Sequence, residues 1–289
     1  MATLPASQSE KVGLVGTKKW VRVRSPPDPS KNFVAGLWEQ YVAGFWNTIG
    51  GTYLTRHNFG LRTTNAADGG VFCVSARAAL MRASIVKDAA FTQAFTNEYL
   101  LRFGDWVSGF GPVVVDDDVF LTRWVIDNGW DIKIQLSEET VMTTAIGEYP
   151  LKFPSQCERW SRTTMRQNPI KPLIDRTVWW KFPLTVWSTE LIWLYNAALF
   201  WDGLAAYALT RTDMYAQSAD RKFMLCALIG LFWTTKLIKT LPWYWMYPTD
   251  FILYFLIPAA PIFTCCHSLL KVYTALTFWN IEWLGRQIE

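Results

Sequence analysis

From Pro183 onward three long apolar stretches dominate the sequence, and this change of texture restricts the folds open to the chain more than any other feature. Residues 183–209 and 223–241 each reach or approach the roughly 20 residues that cross a bilayer as a helix. Residues 251–270 form a third stretch, broken by Pro258-Ala259-Ala260-Pro261, and read either as a kinked span or as a re-entrant segment. The linker Thr210 to Lys222 is short and polar, so the first two stretches are predicted to form an antiparallel hairpin. Folding it about residue 216 brings Glu190 near Lys239, which predicts an ion pair there and leaves Asp202 without a partner at its own level.

Arg159, Arg162, Arg166, Lys171, Arg176 and Lys181 lie immediately before the first apolar stretch and supply much of the net charge of +4. Beside apolar spans such a cluster reads as a cytosolic flank attracted to anionic headgroups, not as a nucleic-acid patch. The N-terminus has neither a basic region nor an apolar core, so no signal peptide is expected and insertion would rely on the internal spans. An integral, multi-pass membrane protein with its polar part in the cytosol is the expectation.

The first 182 residues have another rhythm. Val12 to Val23 alternates as a strand and is ended by Ser25-Pro26-Pro27-Asp28-Pro29. Phe33, Leu37, Tyr41, Val42 and Phe45 recur at helical spacing and predict an amphipathic helix to Ile49. Gly69-Gly70 opens a predicted short strand through Val74, and helical segments are predicted around 76–83 and 89–102. A strand over Pro112 to Val115 would deliver Asp116-Asp117-Asp118 to the start of a helix that stops at Asn128-Gly129. A strand from Trp130 to Leu136 and a helix from Gln156 to Asn168, closed by Pro169, complete the pattern. Alternating strands and helices imply an α/β layer fold, whose ligand sites gather at the carboxyl ends of the strands, where the three aspartates fall. The domain reading is therefore an α/β domain over 1–182 and a membrane domain over 183–289.

Cys73, Cys157, Cys226, Cys265 and Cys266 have no Cys-x-x-Cys spacing, and His57 and His267 are isolated, so neither a zinc site nor a disulfide framework is supported. The chemistry points instead to two motifs. Asp116-Asp117-Asp118 offers carboxylates, and Gln156-Cys157-Glu158-Arg159-Trp160 offers an amide, a guanidinium and an indole. Moving a sugar from a nucleotide diphosphate to a hydroxyl needs a carboxylate to take the proton and positive or amide groups to hold the departing diphosphate. An indole face suits the C–H face of a pyranose. Three aspartates after a strand could equally cap the following helix.

At these residues the chain resembles the processive family 2 glycosyltransferases, most closely the fungal capsular-polysaccharide-synthase and hyaluronan-synthase-like branch. Gly69-Gly70-Val71-Phe72-Cys73-Val74-Ser75-Ala76-Arg77, with Arg82 after it, looks like the Gly-rich strand of that branch, which ends in Ser-Gly-Arg and is followed by a later Arg. Trp283-Leu284-Gly285-Arg286 is similar to its Trp-Gly-Thr-Arg gating segment, with the middle pair changed. The resemblance implies a partial GT-A-like domain followed by C-terminal transmembrane helices. It implies Asp118 as general base supported by Asp117, Gln156 and Arg159 on the diphosphate, and Trp160 stacked on the acceptor sugar. Ser75 and Arg82 would contact substrate, and Trp283 and Arg286 would gate the nucleotide site.

The implied activity is inverting transfer from a UDP-sugar to a growing glycan by a polysaccharide synthase embedded in the plasma membrane. A non-catalytic membrane subunit, a pseudoenzyme and a single-transfer lipid glycosyltransferase are the alternatives. The family also implies a divalent cation, Mg or Mn, held by a separate Asp-x-Asp motif in a nucleotide-binding half. The chain begins at what resembles the strand after that motif, so a truncated and inactive form is an expectation, and no metal ligands are assigned. Asp116 and Asp118 satisfy Asp-x-Asp formally and could hold the ion instead.

Overall fold

The structure, a computed structural model, describes residues 10–22, 33–75, 78–99, 109, 111, 116–144, 152–176 and 178–280. The predicted strand over 112–115, and Trp283 and Arg286, lie outside these residues.

The sheet is built on β1 (Val12–Thr17), whose Leu14 is buried and whose Gly13 and Gly16 lie close under neighbouring side chains. β1 runs parallel to β4 (Asp131–Gln135) and antiparallel to β3 (Ala79–Met81), giving the order β3-β1-β4. β2 (Lys19–Val21) pairs in parallel with β5 (Met142–Thr144) as a separate ladder. Two sequence expectations change here. The residues around 76–83, predicted helical, include strand β3, because the free edge of β1 offers backbone partners at Leu14, Val15 and Gly16. The predicted strand through Val74 forms no ladder: Val71 and Val74 are buried, and the Val74 N–H donates to Thr122 Oγ1 at 2.8 Å.

Among the described residues the longer helices of this part are α1 (Phe33–Ala67), α2 (Ala89–Thr96), α3 (Asp117–Asp127) and α4 (Lys152–Gln167). α1 runs well past the predicted end at Ile49, and most of its buried residues, Leu54 and Leu61 among them, lie in that unpredicted half. α3 ends at Asn128-Gly129, where Gly129 takes φ +78° and turns the chain into β4.

Beyond residue 183 the first apolar stretch is not one helix. A wide-turn helical segment, Val186–Leu191, leads into Ile192–Tyr195, and Asn196 and Ala197 leave helical geometry before α5 (Ala198–Thr210) begins. α6 (Arg221–Ile238) returns antiparallel to α5, as predicted. The register differs: Lys236 Nζ lies 2.6 Å from Asp202, so the hairpin folds midway between them, near residue 219. The expected Glu190–Lys239 pair is absent, because Glu190 turns inward to Lys171 at 3.1 Å, both side chains being buried. α7 (Ala259–Ala275) follows a segment over 248–256 from which it is bent by 60°. Among the described residues no single helix is long and apolar enough to cross a membrane; that bent pair meets the test of length and composition together.

Two cores hold the fold. One joins Leu14, Val71, Val74, Phe120, Val125 and Ile132 with Phe182 and Val186. The other joins Ile49 and Leu54 of α1 and Phe153 and Cys157 of α4 with Trp243, Tyr254 and Ala260. Residues on both sides of position 183 thus share each core. Two glycines are required by these contacts. A Cβ at Gly51 would overlap the Trp243 ring, and one at Gly70 would overlap the Thr185 hydroxyl, which donates to Asp68 at 2.7 Å.

Candidate active site

β1 and β4 are parallel and α3 leads directly into β4, so the start of α3 stands at the carboxyl ends of these strands. The three aspartates there have separate fates. Asp116 is buried with both oxygens taken: Arg166 donates to Oδ2 at 2.8 Å and Oδ1 at 2.6 Å, Thr163 to Oδ1 at 2.8 Å, and Gln167 to Oδ2 at 3.4 Å. A carboxylate so engaged is neither a helix cap nor an available metal ligand. Beside it Arg123 pairs with Glu98, whose carboxyl is raised from the ordinary range by burial, against the pull of Arg123.

Asp117 and Asp118 are half-buried. Burial first, and then the neighbouring Asp118, push Asp117 up to about 6, while Arg159 acts in the opposite direction. Asp117 Oδ1 also accepts the Asp118 N–H at 2.9 Å. Asp118 is fixed through its backbone: its carbonyl accepts from Thr122 Oγ1 at 2.8 Å, and the same hydroxyl accepts the Val74 N–H. That bridge ties the Phe72–Ser75 segment to the first turns of α3, and Ser75, next to Val74, is buried. Cys73 is there too, its thiol pushed up to about 12 by burial and then by the Asp118 charge.

α4 supplies the second motif. Successive helix positions differ by about 100°, so Arg159 can act on Asp117 while Trp160 turns to the other side and stacks on Tyr53 of α1, centroids 5.4 Å apart at 23°. Gln156 lies one turn before Trp160 and is half-buried. The predicted substrate residue Arg82 stands elsewhere. Its Nε donates to Val12 O at 3.0 Å and its guanidinium covers the Trp130 ring, at the end of the sheet where β1 begins. The structure does not bring Arg82 to the carboxylates.

The basic flank predicted for headgroups is largely internal. Arg166 and Lys171 are buried in ion pairs, Arg162 pairs with Glu158 at 2.7 Å, and only Arg176 and Lys181 of the six are exposed. Sequence reading missed the Asp116 clamp and the role of Tyr53. The helical spacing of Arg159, Thr163 and Arg166, which puts all three toward one face of α4, was the available signal for the clamp. Arg166 also donates to Phe278 O at 2.8 Å and Asn280 O at 3.1 Å, fixing the chain just before the segment that holds Trp283.

A profile described as "Glycosyltransferase like family 2" matches residues 1–163, which include the aspartates and the Gln-x-x-Arg-Trp helix. The chain belongs to glycosyltransferase family 2. A "Type 2 glycosyltransferase" of Zymoseptoria tritici is 32% identical over 242 residues, covering 83% of this chain and 49% of its own length. One of Pyricularia oryzae is 28% identical over 242 residues, covering 83% of this chain and 47% of its own length. An NDP-glycosyltransferase of Aspergillus luteorubrus is 32% identical over 157 residues, 50% of this chain and 36% of its own length. The chain spans about half the length of the "Type 2" relatives.

Family 2 enzymes generally use a divalent cation. Among the described residues no group of three or more His, Cys, Asp or Glu side chains is arranged to hold one, and Asp116 is committed to Arg166. The residues described here do not make a fit for the metal, and no chemical step is routed through it.

Proposed function

We propose that this chain carries the acceptor side of an inverting glycosyltransferase that takes its sugar from a UDP-sugar. Asp118 accepts the proton of the acceptor hydroxyl. The oxygen attacks the sugar's anomeric carbon as its bond to the diphosphate breaks, and UDP leaves with its charge met by Arg159 and Gln156. Asp117 keeps a second negative charge beside the base, and Arg159 balances it. Trp160, backed by Tyr53, presents an aromatic face to the acceptor sugar. The observation that carries the reading is the meeting of α3 and α4. One helix start holds Asp117 and Asp118 half-buried while Asp116 is locked to Arg166, and Arg159 acts on Asp117 from the helix that turns Trp160 to the acceptor side.

Membrane embedding belongs to the same proposal. α5 and α6 have no buried residue and expose Leu204, Tyr207, Phe223 and Leu231. Their lengths, about 20 Å and about 27 Å at 1.5 Å per residue, approach a hydrocarbon core of about 30 Å. An apolar surface of this kind calls for lipid or another apolar partner. With the bent pair over 248–275 it supports a polysaccharide synthase working at a membrane, catalytic part on the cytosolic side.

The test is product analysis. Full-length protein in membranes is supplied with UDP-sugars and Mg²⁺ or Mn²⁺, and products are sized. Long glycan lost on Asp118→Asn is expected. A single sugar on a lipid would replace the polymerase reading with single transfer, and absence of any donor consumption would overturn the proposal.

A further inference from the structure

Among the described residues Phe72–Ser75 joins no ladder, and side chains hold its backbone instead. On one side Thr122 Oγ1 of α3 accepts the Val74 N–H at 2.8 Å and donates to Asp118 O at 2.8 Å. On the other, Lys171 Nζ donates to Phe72 O at 3.0 Å and pairs with Glu190 at 3.1 Å. Just upstream, Asp68 accepts from the Thr185 N–H at 2.8 Å, from its hydroxyl at 2.7 Å and from the Gly70 N–H at 2.9 Å. Residues 68–75 are thus fastened twice to the chain between Lys171 and Glu190, and once to the helix that carries Asp118.

The Lys171 and Glu190 side chains are 1% and 2% exposed, and Glu190 Oε2 is buried without a hydrogen-bond partner. An ion pair taken out of water with one oxygen unmatched recovers little of its desolvation cost, and an apolar pair of similar volume would hold the fold as well or better. What an apolar pair could not do is donate to Phe72 O. Both residues also stand in wide-turn helical segments, Lys171–Asp175 and Val186–Leu191, and the first is closed by Arg176 at φ +56°. Such departures from a regular helix occur often at functional sites. What the pair contributes is therefore directional: a charged donor aimed at one carbonyl.

We propose that Lys171 is a positioning residue for sugar transfer: oriented by Glu190, it fixes the Phe72 carbonyl, and Phe72–Ser75 so fixed sets the first turns of α3 through the Val74–Thr122–Asp118 hydrogen bonds. The role rests on the reading of Asp118 as the base. A base has to meet the acceptor hydroxyl within hydrogen-bond reach, and a misplacement of about 1 Å can cost on the order of 10²-fold in rate. Lys171 acts through Phe72 and not on the reacting groups. Since Glu190 lies beyond position 183, the apolar part of the chain takes part in placing the base.

The test replaces the pair by an apolar one, Lys171→Met with Glu190→Met, in the full-length protein. Unfolding midpoint and UDP affinity should stay close to those of the parent, because such a replacement is often neutral for stability and leaves Arg159 and Gln156 untouched. Hydrogen exchange of the Val74 amide from the folded state should accelerate about tenfold. Turnover per folded molecule, read as UDP release from UDP-glucose or UDP-N-acetylglucosamine, should fall about 10²-fold in kcat. Thr122→Val removes the hydroxyl between Val74 and Asp118 and should lower kcat similarly; combined with the double variant it should add little, since both cut one path. A parent-like kcat in the folded double variant, unchanged Val74 exchange, or losses that multiply with that of Thr122→Val would overturn the positioning role. If the double variant does not fold, Lys171→Gln, one bond shorter and still a donor to Glu190, is read in its place with the same expected loss and the same refutation. Normal turnover in Asp118→Asn would sink the base assignment and the role that rests on it, whereas loss there with normal turnover in the Lys171 variants would sink the positioning role alone.

Discussion

The two sides of α4 hold their charges in opposite ways. Toward α3, Arg166 and Arg123 are answered by Asp116 and Glu98, and a hydroxyl and an amide complete the set. Toward α7, Lys271 is buried over the Trp193 ring and donates to Asn196 O at 2.6 Å, while Arg56 and Lys239 are exposed. A charge balanced within the protein holds the fold, since removing one partner strands the other in a medium that solvates it poorly. An exposed charge is solvated by water, and its removal costs the fold little. The three aspartates differ in a related way: Asp116 is buried in the clamp with Arg166, whereas Asp117 and Asp118 are half-buried and are the pair proposed here for chemistry.

The largest expected structural effect breaks the balanced side. Asp116→Asn should lower stability by about 3–5 kcal/mol, the usual range when a buried pair loses one member, measured by denaturant unfolding in detergent. A loss below about 1 kcal/mol would place Asp116 among the exposed acids and erase the contrast.

Next is the guanidinium that acts on Asp117. Arg159→Lys should weaken UDP binding on the order of tenfold, because an ammonium cannot grip two phosphate oxygens in one plane. Calorimetry with UDP checks this, and an unchanged affinity would move Arg159 to a structural role.

The smallest effect is a pH displacement. Asp117 is raised to about 6 by burial and by Asp118, so its proton is held more tightly in the folded protein than in the unfolded chain. Its contribution to stability is therefore fully present below the ordinary aspartate range and is lost as pH rises through about 6. Turnover should show the reverse slope, rising through the same interval as the second carboxylate ionises. Asp117→Asn should remove that inflection from the pH–rate profile, and an inflection that persists near 6 would belong to another group.

Most of the α/β order was legible because it is written in local periodicity: β1, the start of α1, α3 with its Gly129 stop, β4 and α4 all follow their patterns. What failed depended on distant partners. Ala79–Met81 is a strand because β1 has a free edge, and the 35 residues of α1 continue through a buried stretch whose apolar face is diluted by Thr and Gly. In the site, Asp118, Arg159 and Trp160 could be picked out by motif, but the clamp on Asp116 needs Arg166, 50 residues away, which in sequence looks like any basic flank. The Glu190–Lys239 pairing failed for a related reason. Hairpin symmetry treats the apolar stretch as one straight helix, whereas Asn196 and Ala197 break it and leave Glu190 on the inner segment with Lys171.

The central claim, that neighbouring aspartates divide structure from catalysis, is tested most directly by turnover of Asp118→Asn in the full-length protein with a UDP-sugar, measured per folded molecule. Loss of about 10²–10⁴ in kcat, with unfolding midpoint and UDP affinity close to those of the parent, is the predicted result. Near-normal kcat, or a collapse in stability like that expected of Asp116→Asn, would contradict it.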